Sequence, residues 1–208
     1  MKIQQLILSL LLSASALCCA AQTPTAADIF AAAPQTIFPL LDHTTRLEMI
    51  EYFKAAPSTP SKNIFDGSST ITDMTPQSLT VKLTDSSQAQ IALLPDGNDT
   101  IIVLITTLAT PGLDSTVAFY TTDWQPLPAT KYHKPPTLND WLVSSSDEGL
   151  VNAIVPFMLA SAQFDPSAAT LTYTCRLADY LGNDTFSTIS SSLHPTITYT
   201  WTGKKFTK

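Results

Sequence analysis

Residues 79–121 read LTVKLTDSSQAQIALLPDGNDTIIVLITTLATPGLDSTVAFYT. Leu79, Val81 and Leu83 alternate with Thr80, Lys82 and Thr84, the period-two pattern of a strand with one buried and one wet face. Asp85, Ser86 and Ser87 form a turn, Ala89 to Leu94 a second strand, and Pro95, Asp96, Gly97, Asn98 and Asp99 a second turn. The run that follows, Thr100 to Leu108, is apolar on both parities from Ile101 to Ile105, so it reads as a central strand covered on both faces. Pro111 and Gly112 turn the chain into Leu113 to Thr121, which gives an antiparallel meander of at least four strands.

Upstream of this meander the pattern is helical. Thr25 with Asp28 three residues on marks a helix start, carried by Ile29, Phe30 and Ala33 and stopped by Pro34. A longer helix runs from Asp42 as N-cap to about Ala55, with Leu47, Ile50 and Phe53 on the face expected to pack on the sheet and Pro57 beyond its end.

Downstream, Pro126, Pro128, Pro135 and Pro136 punctuate a crossing from Trp124 to Pro136, whose Trp124, Leu127 and Tyr132 have apolar surface to bury, unlike a Gly/Ser linker. Asn139 to Val143 reads as a helical turn, and Val151 to Phe164 as helix or strand, with Pro156 against a continuous helix. Leu171, Tyr173, Cys175 and Leu177 alternate with Thr170, Thr172, Thr174 and Arg176, placing Cys175 toward the core. A helix from Asp179 to Leu193, poor in formers because of Gly182 and its serines, leads to the alternating strand Ile197, Tyr199, Trp201 and a turn at Gly203 and Lys204 before Phe206. The expectation is one α+β domain, an antiparallel sheet of about six to eight strands with helices packed on one face.

The N-terminus reads as an export signal. Lys2 precedes an apolar run from Leu6 to Leu17, and Cys19 and Ala21 are small residues suited to a cut after Ala21. Residues 1–21 would then be the signal peptide and 22–208 a single domain beginning at Gln22. The alternatives are a retained membrane anchor, for which the run falls short of the roughly 20 apolar residues of a spanning helix, and lipidation through Cys18 or Cys19, for which Leu17 is a poor preceding residue. With the signal gone Cys175 is the sole cysteine, so no internal disulfide forms and burial alone must hold the domain together.

Removing Lys2 from the eleven basic residues leaves ten against seventeen acidic ones, a net charge near −7 with no Lys/Arg cluster. That balance argues against nucleic acid and against an anionic membrane surface.

Catalytic and cofactor motifs are missing from the sequence: it has no Gly-x-Ser-x-Gly elbow, no His-Glu-x-x-His, no phosphate loop and no Cys-x-x-Cys. His43, His133 and His194 are not spaced as metal ligands. Asp96, Gly97, Asn98 and Asp99 fit a hairpin turn better than a calcium loop, because Thr100 already begins a strand where further ligands are needed. Cys175 lies in an apolar row, the wrong setting for a thiolate nucleophile. No catalytic, cofactor-binding or metal residue is assigned, and no cofactor is expected. One surface does stand out: Thr80, Lys82 and Thr84, then Thr170, Thr172 and Thr174, then Thr196, Thr198, Thr200 and Thr202 would form a flat hydroxyl-rich face if their strands are neighbours.

Pro39-Leu40-Leu41 before the Asp42 helix, Leu93-Leu94-Pro95, the block from Asp114-Ser115-Thr116 to Phe119-Tyr120-Thr121-Thr122-Asp123-Trp124, and the closing Tyr199, Trp201, Gly203-Lys204-Lys205-Phe206 together resemble a family of secreted Bacteroidales proteins known only as a domain of unknown function (3256). The resemblance spans nearly all of 22–208 and departs at Thr44-Thr45-Arg46, where the family tends to show Asn-Arg. It implies a Gram-negative envelope location and brings no catalytic residues. In that setting Asp99-Thr100-Ile101 and Asp114-Ser115-Thr116 are similar to short O-glycosylation sequons, the first abutting a turn.

These readings converge on a non-catalytic periplasmic or secreted module that binds a protein or glycan partner through the open sheet face or the Pro-rich crossing. The alternative is a secreted hydrolase whose site is assembled from Asp114, Ser115 and His133.

Overall fold

The computed structural model describes residues 23–109 and 111–208. The expected signal, its cut before Gln22 and the lipidation candidates Cys18 and Cys19 lie outside the described residues. No helix among the described residues is long and apolar enough to cross a membrane.

Two helices come first. In α1 (Ala26–Ala32) the Thr25 hydroxyl accepts from Asp28 N–H while the Asp28 carboxylate accepts from Thr25 N–H, a reciprocal cap that satisfies two otherwise orphaned donors. In α2 (His43–Ala55) the Asp42 carboxylate accepts from Thr45 N–H at 2.7 Å. The buried face of α2 is Arg46, Met49 and Ile50; Leu47, expected to pack inward, is 44% exposed. The departure traces to Arg46. Its guanidinium is buried and donates to the carbonyls of Ala31, Ala33 and Leu41, closing the C-terminal end of α1, and this rotates Leu47 outward.

The meander is longer than its sequence core. Strands β1 (Ser61–Lys62), β2 (Ser68–Met74), β3 (Ser78–Thr84), β4 (Ser87–Asp96), β5 (Asp99–Ala109), β6 (Leu113–Thr121) and β7 (Pro126–Leu127) form a seven-stranded antiparallel sheet in sequence order. β5 is covered on both faces, as its unbroken apolar run requires. Ile102 and Leu104 face α1 and α2 beside Leu79, Val81 and Ile91. Ile101, Val103 and Ile105 face the other way. Each such buried side chain contributes on the order of 1.5–3 kcal/mol.

The expected α+β domain, an antiparallel meander with helices on one face, is what forms, and the second face is covered by a further, smaller antiparallel sheet. After the short helices α3 (Ala129–Tyr132), α4 (Leu138–Trp141) and α5 (Glu148–Ile154), strands β8 (Ala160–Asp165), β9 (Thr170–Cys175), β10 (Thr196–Trp201) and β11 (Phe206–Thr207) pair in the order β11-β10-β9-β8. Val151–Phe164 thus divides, α5 ending before Pro156 and β8 beginning at Ala160. The helix expected over 179–193 is broken into α6 (Leu177–Leu181), α7 (Asn183–Ser187) and a 3-10 turn at Ser190–Ser192. Gly182 breaks it, with φ 76° and ψ 157°, a conformation open to a residue without Cβ.

The small sheet turns Phe164, Leu171, Tyr173, Ile197, Tyr199 and Trp201 onto the large one, joined by Tyr132 from the crossing and Trp141 from α4. The Pro-rich crossing runs over the surface and anchors itself by burying Trp124, Tyr132 and His133. Trp124 Nε1 donates to Ile29 O at 3.1 Å, and Trp201 Nε1 donates to Pro95 O at 2.9 Å. The domain has three layers: helices, large sheet, small sheet.

Candidate functional site

The small sheet does not lie flat on the large one along its β8 edge. The N–H groups of Ala160, Ala162 and Phe164, which point away from β9, reach side chains of the large sheet instead of another strand. Ala160 N–H donates to Asp114 Oδ1 at 3.2 Å, Ala162 N–H to Ser115 Oγ at 2.8 Å, and Phe164 N–H to Gln90 Oε1 at 2.9 Å. Gln90 Nε2 also donates to Phe164 O at 2.8 Å, and Thr107 Oγ1 lies 2.7 Å from Ser115 Oγ. Three side chains from β6 and β4 thus satisfy an edge that would otherwise offer unpaired donors.

Beyond that seam the face of β2, β3 and β4 is left uncovered. It meets the outer face of β8 in a cleft of about 600 Å³. One wall carries Thr72, Asp73, Ser78, Thr80 and Gln88, the other Gln163, Asp165 and Pro166, and Gln90, Thr107 and Phe164 form the floor where the sheets touch. Apart from Asp73 and Asp165 the lining holds no ionisable side chain. Asp165 is anchored, its Oδ1 accepting from Ser167 N–H at 2.8 Å.

The hydroxyl-rich face expected from the threonine rows is divided between the two sheets. Thr80, Lys82 and Thr84 are on β3 of the large sheet, whereas β9 and β10 are true neighbours, pairing Thr174 with Thr196, Thr172 with Thr198 and Thr170 with Thr200. Thr172 Oγ1 is 3.1 Å from Thr198 Oγ1. Gln163 of β8 lies opposite Thr172, so the threonine face continues outward from the cleft wall. Thr202 is in the following turn, its hydroxyl donating to Lys205 O at 2.8 Å.

Asp114 and Ser115 belong to the seam, and the Ser115 hydroxyl is engaged by Thr107 and Ala162. His133 sits elsewhere in the core, its Nε2 2.8 Å from the Tyr173 hydroxyl and its ring against Tyr199 and Phe206. Burial lowers the His133 pKa to about 4, and its Nδ1 has no partner. Among the described residues no hydrogen bond joins His133 to Asp114 or Ser115. His43 Nδ1 contacts Ala31 O at 3.0 Å, and His194 is exposed. No group of three His, Cys, Asp or Glu able to hold a metal occurs among the described residues.

Cys175 is half-buried, and burial pushes its thiol pKa up. Asp96 and Asp99 pair across a hairpin turn at Gly97, whose φ is 68°. Thr100 is half-buried on β5 opposite Pro95.

Sequence reasoning missed Gln88, Gln90, Gln163, Asp73 and Asp165. One of them left a signal: Gln90 interrupts an apolar strand, and a buried amide there must have a partner. The others are ordinary wet-face residues until the second sheet supplies the opposite wall.

The sequence profile of the family described as "Protein of unknown function (DUF3256)" matches residues 18–206. No curated protein matches the chain. A solved structure described as "Structure of a domain of an uncharacterized protein from Porphyromonas gingivalis W83" is similar at a TM-score of 0.77 and 18% identity, covering 87% of this chain and 96% of that one. At that identity the likeness is one of fold.

Proposed function

We propose, for a chain that belongs to the DUF3256 family of proteins of unknown function, that it is an exported, non-catalytic module of the cell envelope that holds a protein or glycan partner in the cleft between its two sheets. The observation that carries this reading is the cleft itself, a concavity of about 600 Å³ lined by hydroxyl, amide and carboxylate groups. A cavity of that size falls in the range of binding sites. Its walls are strands, which hold side chains more rigidly than loops do. The seam at Asp114, Ser115 and Gln90 fixes the angle between the walls.

Export rests on the N-terminal pattern and the resemblance to secreted proteins, with residues 1–21 removed or, in the lipid-anchored alternative, Cys18 or Cys19 acylated. Intact-mass measurement of the protein from its native envelope tests it. A mass starting at Gln22 agrees with a free module, acyl chains on Cys18 or Cys19 with a tethered one, and an uncut Met1 start contradicts both.

For binding, a photo-crosslinking residue placed at Gln163 in the cleft and, as control, at Glu51 on α2 distinguishes the layers. Adducts from the native envelope at Gln163 and not at Glu51 are expected. Equal yields at the two positions, or none, would overturn the cleft as the partner site.

A further inference from the structure

We infer that the ligand taken by this cleft is a neutral oligosaccharide; this rests on the reading of the cleft as a binding site and narrows it to one chemical class. The lining contains no lysine, arginine or histidine, so nothing in it neutralises a phosphate, a sulfate or an acidic sugar. The nearest base along β3, Lys82, is paired with Asp85 at 2.7 Å.

The apolar part of the lining is slight. Phe164 is 2% exposed and Ile105 1% exposed, which leaves Pro166 as the exposed apolar residue of the lining, too little for a lipid or an apolar peptide segment to bury. What remains is a mixture of groups that both donate and accept: the Thr72 and Thr80 hydroxyls and the Gln88 and Gln163 amides. Asp73 and Asp165 add acceptors on opposite walls, suited to pairs of adjacent sugar hydroxyls.

The geometry is open-ended, as a chain-like ligand needs. From Gln163 the wall continues across the register pair Thr172–Thr198 on the outer face of the small sheet, so successive sugar units can follow it out of the cleft. Strands stand about 4.8 Å apart and same-face side chains about 6.7 Å apart along each strand, a regular lattice of hydroxyls on a flat surface. Weak, directional hydrogen bonds repeated over several sugar units would supply affinity that no single contact provides.

The test is an NMR titration of the whole domain, residues 22–208, against a panel of neutral oligosaccharides built from glucose, galactose, mannose, rhamnose and N-acetylglucosamine. Oligolysine and inorganic phosphate serve as charged comparators. At least one neutral series is expected to give saturable shifts at Thr80, Gln88 and Gln163. Gln88→Ala and Gln163→Ala are each expected to weaken it about tenfold with the remaining spectrum unchanged, and about 0.5 M NaCl to change affinity less than twofold. Both positions are exposed, so the variants fold.

No shift with any neutral sugar, or shifts only with oligolysine at low salt, overturns the oligosaccharide. If cleft crosslinks at Gln163 still form in the native envelope, the binding reading survives that failure and the partner is a protein. If they do not form, both fall.

Discussion

The side-chain amide of Gln90 brackets the main chain of Phe164: its Oε1 accepts the Phe164 N–H at 2.9 Å and its Nε2 donates to the Phe164 carbonyl at 2.8 Å. A glutamine on β4 thus does for the edge of β8 what a neighbouring strand would do. Gln90 is 8% exposed and Phe164 2%, so both backbone groups are removed from water and depend on this one side chain. Gln90→Leu, similar in size but without polar atoms, is expected to cost roughly 2–4 kcal/mol, because it strands a buried donor and a buried acceptor together. Urea denaturation followed by tryptophan fluorescence measures it; a loss below about 1 kcal/mol would mean that β8 is seated by packing alone.

Arg46 holds the helical layer in the same way. Its guanidinium donates to the Ala31, Ala33 and Leu41 carbonyls, with no carboxylate among the described residues bonded to it. Arg46→Met should strand the Ala33 and Leu41 carbonyls, Ala31 keeping its contact with His43, and lower stability by about 2–4 kcal/mol, while Arg46→Lys, a point charge without the planar fork, should recover only part of it. Thermal denaturation of the two variants beside the parent decides this, and equal melting temperatures for all three would refute it.

His133 makes stability depend on pH. Its pKa falls from 6.5 to about 4 because burial disfavours the imidazolium. The unfolded chain therefore binds a proton between about pH 6.5 and pH 4 that the folded chain refuses, and stability declines through that window as pH falls and levels off below it. The loss is on the order of 3 kcal/mol. The groups facing His133 do not titrate in the window: the Tyr173 and Tyr199 hydroxyls are pushed up by burial, and Phe206 is apolar. Asp140, which acts on Tyr199, is held at about 2 by hydrogen bonds from Lys208 and Thr137. His133→Phe is expected to flatten the stability profile between pH 6.5 and pH 4, and an unchanged slope in urea titrations would count against it.

Cys175 is expected to be a poor nucleophile. Half-buried, with its thiol pKa raised chiefly by burial, it holds little thiolate near neutrality. Labelling with a disulfide reagent at neutral pH should run at least tenfold slower in the native protein than in urea. Comparable rates would show a thiol open to solvent.

Ser115→Ala removes a hydroxyl that accepts from Ala162 N–H and pairs with Thr107. A loss of about 1–2 kcal/mol is expected. Ser115→Cys should retain less of the seam than the parent because sulfur accepts weakly. Stability equal to the parent in Ser115→Ala would free that hydroxyl for another role.

The meander from Leu79 to Thr121 was legible because strand burial is written in a local period. Ile101 to Ile105 is apolar on both parities only because both faces of β5 are covered, by α1 and α2 on one side and the small sheet on the other. The capping of α1 and α2 was equally local: Thr25 with Asp28, and Asp42 with Thr45. Leu47 was misplaced because helical spacing identifies an apolar stripe but not its rotation, which Arg46 sets through carbonyls 5 to 15 residues away. The helix over 179–193 failed at Gly182, where backbone freedom outweighs the apolar spacing of Phe186 and Ile189.

The sequence by itself determined the strands β3 to β6, β9 and β10, the two capped helices, the cysteine arithmetic and the acidic balance, since each is a property of neighbouring residues or of composition. Only the tertiary structure decided that the strands divide into two sheets, that His133 of the Pro-rich crossing is buried against Tyr173, and that Asp114, Ser115 and Gln90 seat the edge of β8. The cleft belongs to that second group. Its walls come from residues 72–88 and 163–166, whose juxtaposition is made by the hydrogen bonds of Gln90 to a residue 74 positions away. Local period carries no record of such a pairing.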